Sequence, residues 1–218
     1  MPLRGDVRGA VVFDLDGTLV DSTEVAAQAY VRTLADLGVQ ASAQQVRDVW
    51  DVRSTSQVLA HFLRRPCRAS ELELYGRTAV AALTDAPLFP GITSLLDHLE
   101  RVGYALGVLT GAARVAADAV LARHGIATRF GAVLCGDEGI APKPSPEGLL
   151  AVCARLGVSP ATTAYVGDTA TDLACASAAG VRGIAAAWRP GSHPDAVGDD
   201  PPLARTPSAV VDVLGAGV

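Results

Sequence analysis

The stretch VVFDLDGTLVDS, residues 11–22, is as apolar as a buried strand until it breaks into two carboxylates, a glycine and a threonine. Residues two apart in a strand share a side, so Asp14 and Asp16 are expected to emerge together where the apolar run ends. Two like charges there call for a compensating cation; the alternative is that one carboxylate caps a turn and the other is solvated. A second acidic pair lies in YVGDTATD, where Asp168 and Asp172 fall on one face of a helix that begins there. Each of these alone also suits an N-cap or a first helical turn. Gathered at the carboxyl ends of parallel strands, where open sheets bind ligands, such carboxylates suit a hard cation such as magnesium, with a phosphate supplying further contacts.

Two more residues fit that chemistry. Thr110, in LGVLTGAAR, ends a predicted strand just before a helix, where its hydroxyl and the following amides could hold a phosphate oxygen or simply cap the helix. Lys143, in APKPSPEG, is the single lysine among 18 basic residues. A loop lysine is ordinarily a solvated charge. A chain that otherwise uses arginine, however, has kept a compact ammonium here, between prolines that stiffen the loop, which suits a fixed counter-charge.

The elements that must position these residues read as an α/β protein. After Pro87 the pattern alternates strands (104–110, 131–136, 162–168, 181–187) with helices (92–101, 112–124, 145–156, 169–179), the sign of a parallel, Rossmann-like sheet with helices on both faces. Between Ser22 and Pro87 only helical periodicity appears, in four segments. The expected division is a core of residues 1–20 and 87–218 and an inserted all-α four-helix domain, 21–86. The tail from Arg189 to Pro207, rich in Pro, Gly and Asp, is expected to be loop.

A formal charge of −5 argues against nucleic-acid or anionic-membrane partners. No apolar run has the length of a membrane span and no secretory leader is evident, so the expected location is cytoplasmic. Cys67, Cys135, Cys153 and Cys175 have no metal-thiolate or disulfide spacing and read as small buried thiols. His61, His98, His124 and His193 form no ligand pattern.

DLDGTLVDS, VLTG, KPSPE and VGDTATD, in that order and spacing, resemble the motifs of the haloacid dehalogenase superfamily of phosphotransferases. The helical insert resembles that family's small cap, as in phosphoglycolate phosphatases and beta-phosphoglucomutases. The resemblance implies Asp14 as the nucleophile that forms an aspartyl phosphate and Asp16 as general acid and base. It implies Thr110 and Lys143 as the holders of the phosphoryl oxygens. Magnesium would rest on Asp14, the backbone carbonyl of Asp16, and Asp168, with Asp172 binding through water or orienting the others. Asp16 argues against dehalogenation, which needs no acid for an alkoxide leaving group.

Gly111, a candidate phosphate-binding position, stands where many relatives carry asparagine, so a side-chain contact to the phosphate or the nucleophile is either missing there or replaced by a backbone amide. In the insert, Arg53 is the candidate substrate contact and Trp50 reads as core. The implied activity is a magnesium-dependent phosphatase acting on a small phosphorylated metabolite, as a monomer or homodimer. A phosphomutase is the enzymatic alternative, and a non-catalytic binding protein the alternative from another class.

Overall fold

The computed structural model describes residues 8–50, 55–189 and 201–215. β1 (Gly9–Phe13) is followed by four helices, α1 (Thr23–Asp36), α2 (Ala43–Trp50), α3 (Thr55–Leu63) and α4 (Ala69–Leu83). Helices and strands then alternate: α5 (Ile92–Arg101), β2 (Tyr104–Leu109), α6 (Arg114–Arg123), β3 (Ala132–Leu134), α7 (Glu147–Leu156), β4 (Thr163–Gly167), α8 (Ala170–Ala178), β5 (Arg182–Ala186), β6 (Leu203–Ala204) and α9 (Ala209–Gly215). By contacts the chain divides into two compact units, Met1–Asp21 with Leu88–Val218, and Ser22–Pro87.

The first unit is the parallel α/β fold expected. Its six strands lie in the order β3-β2-β1-β4-β5-β6, and each neighbouring pair is parallel. All of β1 is buried, which an alternating strand achieves only when both faces of its sheet are covered. On one face Val12, Leu109, Leu134 and Tyr165 pack with Leu149 and Val152 of α7 and Cys175 and Ala176 of α8. Each of the larger apolar side chains contributes about 1.5–3 kcal/mol by leaving water.

The chain builds outward from β1 to β2 and β3, then returns to lay β4, β5 and β6 on the other side. The order therefore switches between β1 and β4, and the crevice beyond the carboxyl ends of those two strands is where such sheets bind ligands.

The second unit consists of α1–α4, packed around Ala27, Tyr30, Leu34, Val46, Val58 and Leu59. Tyr30 stacks on Tyr75 with ring centroids 4.2 Å apart. At the start of α2, Ser42 and Gln45 satisfy each other's backbone amides at 2.8 and 3.2 Å, a reciprocal cap that explains why the helix begins there.

Three expectations need correction. β1 ends at Phe13, so Asp14 and Asp16 lie beyond the strand in a bend, not on its alternating face. The segment expected to be loop contains β6, whose two residues pair with Ala185 and Ala186; so short a strand has no alternation to read. Cys67 is half-buried rather than buried, while the other three thiols are buried, and all four are free. Arg53 and His193 lie outside the described residues, as does the side chain of Trp50.

Candidate active site

Asp14 directly follows β1 and its amide donates to the Val166 carbonyl at 2.9 Å, which ties the end of β1 to β4. The chain then turns at Gly17, whose φ of +84° is open chiefly to glycine. A Cβ at Gly17 would also lie 2.3 Å from Asp168 Oδ2, so this glycine lets the first acidic loop approach the second. The Gly17 amide donates to the Val20 carbonyl at 2.9 Å, and Asp16, half-buried, forms a bridge with Val20. Asp16 thus owes its place to this bend.

Asp168 follows β4 and precedes Thr169, the N-cap of α8. The helix opens with a capping box. Thr169 Oγ1 accepts from the Asp172 amide at 3.2 Å, while Asp172 Oδ2 accepts from the Thr169 amide at 3.1 Å and from its hydroxyl at 2.6 Å. Asp168 therefore stands outside the helix, and it is this cap that aims Asp172. At Gly167 a Cβ would meet the Asp172 Cβ at 2.4 Å, so no larger residue fits between β4 and α8 there.

Lys143, from the loop before α7, reaches this place. Its Nζ donates to Asp14 Oδ1 at 2.7 Å, to Asp172 Oδ1 at 2.6 Å and to the Tyr165 hydroxyl at 3.2 Å. Oxygens of Asp14, Asp168 and Asp172 all lie within 4.8 Å of one another. Asp168 accepts longer bonds, from the Thr18 hydroxyl and from Arg189 Nη2, both at 3.4 Å. The neighbouring loop is fixed by Trp188, whose indole N–H donates to the Thr18 carbonyl at 3.1 Å.

Thr110 is buried just beyond β2. Its amide donates to the Leu134 carbonyl, at the end of β3, and its hydroxyl oxygen accepts from the nearby Ala112 amide, both at 3.0 Å. Gly111 beside it is exposed.

The electrostatics follow from burial. It pushes the Asp14 carboxyl well above the usual range, Lys143 pulls the other way, and the charges on Asp172 and Asp168 push it up further. Asp168 is raised to about 6, first by burial and then by Asp172, against the pull of Arg189 and Lys143. Burial also opposes the Asp172 anion, but Lys143, Thr169 and Tyr165 outweigh it and hold that carboxyl low. The Lys143 ammonium, despite burial, is kept protonated by Asp14, Tyr165 and Asp172.

One ammonium thus serves a crowd of carboxylates, of which Asp14 and Asp168 remain under-compensated. Hard oxygen donors with unmet negative charge fit a divalent cation, and this observation supports a metal here.

Tyr165 was not foreseen. In TTAYVGD it reads as strand core, and nothing local shows that its hydroxyl meets a lysine and an aspartate.

A family model described as haloacid dehalogenase-like hydrolase matches residues 11–186. Among curated proteins, a probable phosphatase, IndB, of Dickeya dadantii is 35% identical, with 94% of this chain and 89% of that protein aligned. A phosphoglycolate phosphatase of Xanthomonas campestris is 32% identical, covering 93% of this chain and 91% of its own length. Among solved structures, a CbbY variant from Rhodobacter sphaeroides in complex with xylulose-(1,5)bisphosphate superposes with a TM-score of 0.79 at 26% identity, covering 92% of this chain and 95% of that one. With Asp14 and Asp172 meeting on one lysine and Asp168 beside them at the switch point of the sheet, the chain belongs to the haloacid dehalogenase-like hydrolases and is a phosphatase among them.

Proposed function

We propose that the protein is a magnesium-dependent phosphatase of a small phosphorylated metabolite, working through an aspartyl phosphate on Asp14. The observation that carries this reading is the Lys143 ammonium held between Asp14 and Asp172 at 2.7 and 2.6 Å, beside Asp168. A carboxylate at a ligand-binding strand end needs such a charge to remain ionised and nucleophilic against the pull of burial.

In the first step an Asp14 oxygen bonds to phosphorus as the bond from phosphorus to the substrate's ester oxygen breaks, and Asp16 protonates the departing alkoxide. In the second step Asp16 takes a proton from water as that water attacks phosphorus, and inorganic phosphate leaves with Asp14 regenerated. Lys143 offsets charge on the phosphoryl oxygens, and Thr110, with the Gly111 amide, holds one of them.

Asp14, Asp168 and the backbone carbonyl of Asp16 would hold the cation. Asp172, with Oδ2 committed to its cap and Oδ1 to Lys143, would orient the others. The bound ion would supply Lewis-acid charge opposite the phosphoryl oxygens.

The names of the relatives support a small substrate of the phosphoglycolate or sugar-phosphate kind. We assign the choice of substrate to the helical unit, with residues 21–86 as its cap domain and Arg53 as its candidate contact.

The test is a panel of phosphate monoesters, including phosphoglycolate, incubated with protein and magnesium. Stoichiometric inorganic phosphate and a phosphoryl mass increment on an Asp14 peptide after acid quench are expected. No phosphate release across the panel would overturn the reading, and an isomeric phosphate product would make the protein a mutase.

A further inference from the structure

We infer that Tyr165 is a positioning residue for phosphoryl transfer, its hydroxyl holding the Lys143 ammonium in place while Asp14 changes charge. The inference rests on the reading above, in which Asp14 and Lys143 act on the phosphoryl group.

A buried ammonium has three N–H donors and needs an acceptor for each. Lys143 comes from a loop, so no helix or strand fixes its tip; its acceptors must. Two of them, Asp14 Oδ1 and Asp172 Oδ1, are anions, and the third, the Tyr165 hydroxyl at 3.2 Å, is neutral. When Asp14 becomes an acyl phosphate, the negative charge passes from its carboxylate to the phosphoryl oxygens. An ammonium held only by two carboxylates would then follow that charge and drift from its place between Asp14 and Asp172.

The tyrosine opposes that drift because its hydroxyl is fixed independently. The side chain is fully buried in β4, between β1 and β5. Its single O–H proton has two acceptors in range, Asp172 Oδ1 at 2.9 Å and the Leu109 carbonyl at 3.2 Å, while a lone pair faces Lys143. The hydroxyl thus joins the end of β2, the middle of β4 and the start of α8 to one ammonium, and none of its own bonds changes charge on phosphorylation.

The chain's single lysine provides a direct readout. Protein grown with lysine labelled with nitrogen-15 at Nζ gives one side-chain ammonium signal, and the exchange of its protons with water reports how firmly it is held. In Tyr165→Phe that exchange should quicken by about tenfold, matching the loss of one ordinary hydrogen bond. With p-nitrophenyl phosphate and magnesium, kcat should fall about tenfold with KM within about threefold, because the hydroxyl acts on the transition rather than on substrate docking. Unchanged exchange overturns the inference whether or not kcat falls, and so does unchanged kcat.

Should Tyr165→Phe fail to fold, replacing the chain's four tyrosines with 3-fluorotyrosine weakens the same acceptor in a folded protein. The Nζ signal should then move, and an unmoved signal overturns the inference. Normal turnover by Lys143→Met would instead remove the phosphoryl-transfer reading, and the Nζ measurement, made without substrate, separates that failure from this one.

Discussion

Asp14 in the α/β unit and Glu71 in the helical unit are each 5% exposed, yet their carboxyls lie on opposite sides of the ordinary range. Asp14 is pushed well up, whereas Glu71 is held down at about 2. Desolvation is the largest push on Asp14, whereas at Glu71 it is outweighed by the donors that Arg65 and Arg68 supply. Glu71 takes both arms of Arg65, at 3.0 and 2.6 Å, and the Arg68 amide at 2.8 Å, so it closes the first turn of α4 with its charge fully answered. Among the side chains of the described residues Asp14 has Lys143 alone, and Lys143 is shared with Asp172 while Asp168 stands close by. A structural carboxylate is saturated by the protein itself. Asp14 is left short of positive charge, and under the proposed function that shortfall is its affinity for a cation and a phosphoryl group.

That contrast can be broken most forcefully at Asp14. Asp14→Asn should lower phosphatase turnover by about 10⁴-fold or more, measured as phosphate release, since the proposed nucleophile is gone. Its thermal midpoint should be no lower than that of the parent, because a neutral amide relieves a buried charge that the protein under-compensates. A clear drop in the midpoint would mean that Asp14 is as satisfied as Glu71, and the contrast would fail.

Lys143→Arg should reduce kcat about a hundredfold despite keeping the charge, since a planar guanidinium cannot place three donors on Asp14, Asp172 and Tyr165 at once. Wild-type kinetics would make the lone lysine incidental.

Magnesium at about ten times its Kd should raise the unfolding free energy by about 1.4 kcal/mol in denaturant melts, a gain that Asp168→Asn should lose. No shift in the parent would show that the shortfall of charge is not met by this ion.

The smallest effect concerns Glu71. Its pKa falls from the ordinary 4.5 to about 2 on folding, so the fold binds its carboxylate form more favourably than the unfolded chain does. The resulting stability is complete above 4.5 and disappears as pH drops through about 2. Glu71→Gln should therefore lower the melting temperature by a few degrees at neutral pH. It should also flatten the loss of α4 amide protection on acidification, followed by hydrogen exchange. Parallel pH profiles for the two proteins would remove the claim.

How much of this was legible in the chain varied with range. Helix α5 begins and ends where its periodicity predicts, over 92–101, because an amphipathic stripe is a local property. The acids were legible as residue types at strand ends. The reason given for Asp14 and Asp16, strand alternation, was not the one the fold uses, since β1 stops at Phe13 and Gly17 turns the chain. β6 escaped notice because its two residues are a strand only by pairing with β5. Tyr165 escaped because in one dimension a tyrosine with a buried hydroxyl partner is indistinguishable from one that merely packs.

The sequence by itself determined the alternation of elements, the apolar strands and the set of charged residues available at their ends, all of which depend on near neighbours. Only the tertiary structure decided which charges meet. Lys143 finds Asp14 across 129 residues, Asp172 across 29 and Tyr165 across 22, and the order in which the strands are laid side by side brings those positions together. The physical reason is that hydrogen bonds and Coulomb forces act over a few ångströms of space, whereas separation along a chain says nothing of that distance until the sheet has been built.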